Sequence, residues 1–258
     1  MISNRCARKS LVTSCNSIVS MNYLRFLVDS NDGKNMKNIR LWMTYHDDKQ
    51  IEEYHLKEDE NIKLFKGNDT NIKGDNINYL NRFYSELVTF YYVWKNNLRT
   101  EYVGFCHYRR LFPTICEVDK GECLVFDINK NVSVYNQYKW SHNYQDMCDV
   151  IDCLNEKYGI ANKYSEYILK GNVLIPCCCF IMQWEDYVNL CEWLFPILFA
   201  WDKKNGLNMD PKKYMEKARR DFRYDDVNYQ CRAVAFLAER LISCYIVTEM
   251  KPFCIITV

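Results

Sequence analysis

Glycine and proline are scarce in this chain, eight and five among 258 residues, which argues against a repetitive all-β protein or a low-complexity chain. Charge of one sign is also missing. Lys and Arg number 34 against 33 Asp and Glu, for a formal net charge of +1. A long nucleic-acid track is therefore not indicated, and any anion site must arise from local clustering. No apolar run is long enough to span a bilayer. The best candidate, residues 188–201, is too short and contains Glu192. The opening Met1-Ile2-Ser3-Asn4-Arg5 leads into a mixed polar segment and not an apolar secretion core, so a cytoplasmic protein is expected. No Asp-x-Asp and no paired Cys-x-x-Cys sets occur.

Cysteine, by contrast, is abundant at 14. In a reducing compartment these are expected as thiols. Cys177-Cys178-Cys179 is contiguous, and on a strand adjacent side chains point to opposite faces. Cys148 and Cys153 lie near one another without a second pair. Small buried thiols are the stronger reading and a structural metal site the weaker. Hydrophobic residues at 48% and aromatics at 15% suffice for the core of one sizeable α/β domain.

Residues 22–28 fit an edge strand or a short helix, and Asn31-Asp32-Gly33-Lys34-Asn35 reads as a turn. Residues 39–46 read as the first core strand, ending at His46-Asp47-Asp48. Residues 52–76 form a charged, Asn-rich loop with one short strand near 62–65, and long loops in compact domains are often functional. From 79 to 97 the pattern is helical: Phe83, Leu87, Phe90, Tyr91 and Trp94 make one stripe, with Asn78 or Asn81 as cap. Glu86 borders that stripe and needs a partner if buried, for which Arg109 or Arg110 on the next strand is the natural choice.

That strand, Tyr102-Val103-Gly104-Phe105-Cys106-His107-Tyr108-Arg109-Arg110-Leu111-Phe112, is apolar up to a histidine and an arginine pair. Ligands in α/β folds sit outside the carboxyl ends of strands, and a guanidinium fork suits a diphosphate or carboxylate. Solvated or locally paired arginines are the alternative. Residues 123–127 fit a short strand. His142 and Asp146, four apart, would share one helix face, either to orient a base or bind metal, or as a local hydrogen bond. Residues 177–182 read as a buried strand. Residues 184–201 read as a helix burying Tyr187, Leu190, Cys191, Leu194, Leu198 and Trp201. Residues 203–225 read as a charged loop, a solvated face or a contact for an anionic acceptor or membrane. The last helix, 227–247, buries Val234, Leu237, Leu241 and Cys244. Its Arg232, Glu239 and Arg240 either reach a cleft or pair internally.

Gly74-Asp75-Asn76-Ile77, Asn81, Tyr84-Ser85-Glu86-Leu87, Trp94-Lys95-Asn96, Tyr102-Val103-Gly104 and His107-Tyr108-Arg109-Arg110 together resemble the signature of the DUF4422 family of capsular-polysaccharide-type glycosyltransferases. Phe180-Ile181-Met182 with Cys191-Glu192-Trp193-Leu194-Phe195-Pro196-Ile197-Leu198, and Arg232 with Phe236-Leu237-Ala238-Glu239-Arg240-Leu241, are similar to later blocks of that family. The resemblance covers roughly residues 39–247. It implies an α/β fold: a single GT-A-like, Rossmann-related domain over 38–258 with a mixed central sheet flanked by helices, after an N-terminal extension, 1–37. It further implies a hexosyltransferase drawing on a nucleotide sugar such as UDP-galactose and acting on a surface polysaccharide, lipopolysaccharide or lipid-linked glycan. The implied setting is the cytoplasm, with peripheral contact to the inner face of the membrane left open. A non-catalytic nucleotide-sugar- or glycan-binding relative is the alternative.

The residues carried over for donor binding are His46, Asn81, Glu86, His107, Arg109, Arg110 and Arg232; for substrate, His142 and Cys178. Two departures stand out: His46 is followed by Asp47-Asp48 where the family has a His-Lys-Pro type sequence, and Cys178-Cys179 stand where the family has Asn and Met. Glycosyl transfer needs the diphosphate neutralised by a metal or by cations and the acceptor hydroxyl deprotonated. With no Asp-x-Asp, neutralisation by the arginines is expected without metal, Mn²⁺ or Mg²⁺ remaining the alternative. Asp146, Asp226 and Glu239 are the candidate bases.

Overall fold

Runs rich in β-branched and aromatic residues pair into one mixed sheet, and the amphipathic stripes cover it. The computed structural model describes residues 24–25, 38–112, 115–130 and 133–255. The elements, in chain order, are β1 (Leu24–Arg25), β2 (Ile39–Tyr45), α1 (Asp48–Glu53), β3 (Ile62–Lys66), α2 (Asn81–Tyr84), α3 (Leu87–Lys95), β4 (Tyr102–His107), β5 (Glu122–Val125), β6 (Asn129–Lys130), α4 (Val134–Ser141), α5 (Tyr144–Tyr158), α6 (Lys163–Lys170), β7 (Val173–Leu174), β8 (Phe180–Gln183), α7 (Trp184–Lys204), α8 (Pro211–Lys217), α9 (Ala233–Glu249) and β9 (Lys251–Ile255). The main sheet runs β1-β9-β5-β8-β4-β2-β3, and β6 and β7 form a separate antiparallel pair. β2 is parallel to β3 and β4, β5 to β9, and β9 to β1, while β8 runs antiparallel to both its neighbours. Apart from Leu24–Arg25, which forms an edge strand, the expected extension 1–37 lies outside the described residues.

Strand alternation sorts side chains to two faces. Trp42, Val103, Phe105, Phe180 and Met182 face the larger core beside α3, α5, α7 and α9. Leu41, Met43, Tyr102, Cys106 and Ile181 face the smaller one. β4 lies between neighbours on both sides with all six residues buried, which explains its unbroken apolar run. The stripes expected on the two long helices are at the core: Tyr187, Leu190, Cys191, Leu194, Leu198 and Trp201 of α7, and Val234, Leu237, Leu241 and Cys244 of α9, are each 0% exposed.

Several expectations are corrected. The helix over 79–97 is split: a 3₁₀ turn at Asn78–Leu80 and α2 are separated from α3 by Ser85, at φ 50° and ψ −127°. The strand expected from Cys177 begins only at Phe180, because Pro176–Cys178 form a turn with Cys177 and Cys178 at φ 62° and 52°. The loop 203–225 contains α8, which Asp210 caps through Lys212 N and Pro211 opens. The last helix starts at Ala233, after a 3₁₀ turn at Tyr229–Arg232.

Gly104 tests the sheet packing. A Cβ there would lie 2.5 Å from Leu41 Cδ2, 2.7 Å from Ile181 Cγ1 and 3.0 Å from the Phe180 carbonyl. Gly104→Ala is expected to lower stability by about 1–3 kcal/mol through overpacking, read as a fall in urea midpoint at unchanged m-value. An unchanged midpoint would contradict this packing.

Candidate functional site

Parallel β2, β3 and β4 deliver their carboxyl ends to one edge, and antiparallel β8 begins there. His46, Gly67, His107 and Cys179 therefore meet where ligands of open α/β sheets bind. The break at Ser85 adds α2 and the start of α3 to this edge. Arg232 fixes the break by donating from Nε and Nη2 to Ser85 Oγ at 3.1 and 2.6 Å. Asn81 Nδ2 donates to the Ser85 carbonyl at 3.3 Å and packs so closely on Gly67 that a Cβ there would stand 2.4 Å away. Asn78 Nδ2 holds the loop beyond β3 through the Asp69 carbonyl at 2.9 Å.

These elements enclose a cleft of about 530 Å³ lined by His46, Asn68, Thr70, Asn78, Tyr79, Asn81, Arg82, Ser85, Asp226 and Arg232, within the size range of small-molecule sites. Three of the expected donor residues, His46, Asn81 and Arg232, line it. Arg82, Ser85, Asn68 and Thr70 were not expected. The signal for the latter two was the Asn-rich loop, and nothing in the pattern distinguished Arg82 from any solvent-facing helix cation. His46 Nδ1 is buried with no hydrogen-bond partner among the described residues. Burial lowers the ring's pKa, with Arg232 adding to the effect and Glu86 and Asn81 opposing it.

His107 is buried at the end of β4. Its Nδ1 accepts from Arg109 N at 3.2 Å, which leaves the proton on Nε2, 3.9 Å from Glu86 Oε1. Burial pushes this ring down to about 4, against the pull of Glu86. The expected Glu86–arginine pair is thus corrected: the histidine faces Glu86, while Arg110 turns to the Cys177 thiol and Arg109 lies over the Tyr108 ring, 5.3 Å from its centroid. Neither arginine is among the residues lining the cleft.

The remaining candidates have other partners. Glu239 Oε1 accepts from Cys177 N at 2.6 Å and Oε2 from Arg240 Nη1 at 2.6 Å, clamping the strained cysteine turn to α9. Cys178 is buried in that turn, and burial raises its thiol well above the usual range. Asp226 sits on the cleft rim beside Arg82 at 3.3 Å, both half-exposed, a geometry that contributes little stability. His142 and Asp146 do not share a helix, because His142 ends α4 and Asn143 begins α5. His142 stacks on Phe236 at 3.9 Å and meets Gln230 Oε1 at 3.1 Å. Asp146 is buried against Lys217 at 2.8 Å, in a cavity of about 20 Å³ that shares no lining residue with the cleft. Among the described residues no three His, Cys, Asp or Glu side chains gather as a metal site.

The geometry can be set beside known proteins. Residues 43–129 and 117–250 match the model of a family described as a domain of unknown function, DUF4422. The chain belongs to the DUF4422 family. A comparison with curated proteins gives no match. Among solved structures it is similar to WbbM, a bifunctional glycosyltransferase in its apo form, with a TM-score of 0.62 and 20% identity over 86% of this chain. The chain spans 45% of that protein, and at this identity the likeness is one of fold. It agrees with the expected mixed α/β sheet flanked by helices. No helix among the described residues is long and apolar enough to cross a membrane.

The depressed histidines make stability depend on pH. His107 and His142 are both held at about 4 by burial, against an ordinary 6.5. Between these values the unfolded chain binds protons that the folded chain does not. Stability is therefore full above about 6.5 and falls as pH drops towards 4, by up to about 1.4 kcal/mol per pH unit for each ring. Urea unfolding of His142→Gln should give a flatter pH slope than the native chain across this window. Identical slopes would contradict the assignment.

Proposed function

We propose that this protein is a glycosyltransferase moving a hexose from a UDP-sugar, such as UDP-galactose, to a growing surface polysaccharide or lipid-linked glycan. The observation carrying this reading is the cleft at the carboxyl edge of β2–β4, with Arg232 and Arg82 in its wall and Arg109 and Arg110 following from the end of β4. A fold like that of a glycosyltransferase supports it.

The chemistry follows from the side chains. A leaving nucleoside diphosphate gains charge at its β-phosphate, and guanidinium groups fixed beforehand stabilise that charge without reorganising. Arg232 is fixed, since two of its donors hold Ser85. Asn81, Asn78 and Asn68 supply neutral donors and acceptors for ribose or sugar hydroxyls. Asp226 faces Arg82 and both Glu239 oxygens are engaged, which leaves Glu86, and among the described residues no three His, Cys, Asp or Glu side chains gather to hold Mn²⁺ or Mg²⁺. The reading is therefore of cationic side chains in place of a metal.

A thermal-shift panel of UDP-, GDP-, dTDP- and CMP-sugars, each with Mn²⁺ or with EDTA, tests this. Binding to the folded state alone stabilises by mass action, about 2.7 kcal/mol at a hundredfold excess over Kd. A UDP-sugar is expected to raise the melting temperature equally in EDTA, and Arg232→Gln to abolish most of the rise. Stabilisation only with Mn²⁺ would contradict the cationic mechanism. No stabilisation by any donor would favour a glycan-binding relative without transferase activity.

A further inference from the structure

We infer that Glu86 is the base that deprotonates the acceptor, and that His107 is the residue that positions it. This rests on the donor reading above and goes beyond it. Most carboxylates considered for this role already have partners. Glu239 has both oxygens committed, to Cys177 N and Arg240. Asp226 accepts from Asn228 N and faces Arg82 on the rim. Asp146 is shut in its own cavity with Lys217. Glu86 alone among these has a carboxylate that accepts no hydrogen bond from any described residue, and its side chain is 23% exposed.

Local structure directs it inward. In an unbroken helix Glu86 would border the apolar stripe. Ser85 at φ 50° ends α2, and Glu86 becomes the residue before the first turn of α3. Its oxygen then lies 3.9 Å from His107 Nε2. That separation is loose, as base–orienter contacts often are before substrate closes the site. The ring is itself oriented, because Arg109 N occupies Nδ1 and only Nε2 can donate. Base, orienter and a third group that orients the orienter form the arrangement expected of a catalytic pair. Glu86 directly follows Ser85 of the cleft wall, and its charge is felt by His46, His107, Cys177 and Tyr229 from four different segments.

The step is a single displacement. The acceptor hydroxyl gives its proton to a Glu86 oxygen while its own oxygen bonds to the anomeric carbon. The bond from that carbon to the β-phosphate oxygen breaks, and the electron pair departs with UDP towards the arginines. Glu86 then releases the proton to solvent.

Water can stand in for the unidentified acceptor, so the test uses UDP for binding and UDP-galactose for turnover. Glu86→Gln keeps the volume and removes the base. It is expected to keep the native thermal shift with UDP while UDP release falls about 100-fold or more, in kcat and not in KM. His107→Gln, which retains a donor near Nε2, is expected to lose less and to move the acidic limb of the pH–rate profile. Native-like UDP release by Glu86→Gln would overturn the proposal. Loss of UDP binding in Glu86→Gln would also overturn it, by making Glu86 a donor ligand. If the native protein neither binds UDP nor releases it from UDP-galactose, the donor reading fails and the base assignment with it.

Discussion

Two hydrogen bonds from Arg232 to the Ser85 hydroxyl hold together segments 147 residues apart, and the cleft depends on them. Ser85 occupies a backbone region that L-residues rarely adopt, at a cost on the order of 1–3 kcal/mol. The guanidinium fork offsets that cost and makes the break rigid. Remove the break and α2 continues into α3. Glu86 would turn towards the helix flank, and Asn81 would lose its contact with the Ser85 carbonyl. Cys177 and Cys178 carry similar strain in the turn before β8, and Glu239 clamps it by accepting from Cys177 N. Both clamps come from the same stretch of chain, the 3₁₀ turn and α9, so one stretch fixes both strained turns.

The electrostatics follow from this frame. A chain with almost no net charge gathers Arg82, Arg109, Arg110 and Arg232 at a single sheet edge, where four strand ends already bring polar backbone together. Burial keeps the neighbouring histidines neutral, so they act as hydrogen-bonding groups and not as further cations. A nucleoside diphosphate would meet fixed positive charge on one side and neutral donors and acceptors on the other.

Much of the framework was legible in the sequence, and for physical reasons. His46 and His107 end apolar runs, and in a parallel sheet such ends share an edge. The stripes of α7 and α9 are strong because their buried faces are long. What escaped the sequence depends on tertiary contact or on weak local signals. The φ of Ser85 is imposed by an arginine far along the chain. His142 and Asp146 have helical spacing, yet a helix boundary at Asn143 separates them. α8 is short and charged, so its composition reads as loop even though Asp210 and Pro211 mark its start. β9 begins Lys251-Pro252, an unpromising strand, and is held by pairing with β5. Arg82 sits on a four-residue helix too short to show a face.

Hydrogen–deuterium exchange with and without UDP addresses the central claim most directly, because it reports where the nucleotide lies without presuming catalysis. Slower exchange on UDP binding is expected in peptides covering residues 46–47, 67–86 and 226–232, which carry the cleft lining, and 107–110 at the end of β4. Protection confined to residues 143–147 and 214–219, around the small cavity of Asp146 and Lys217, would contradict it.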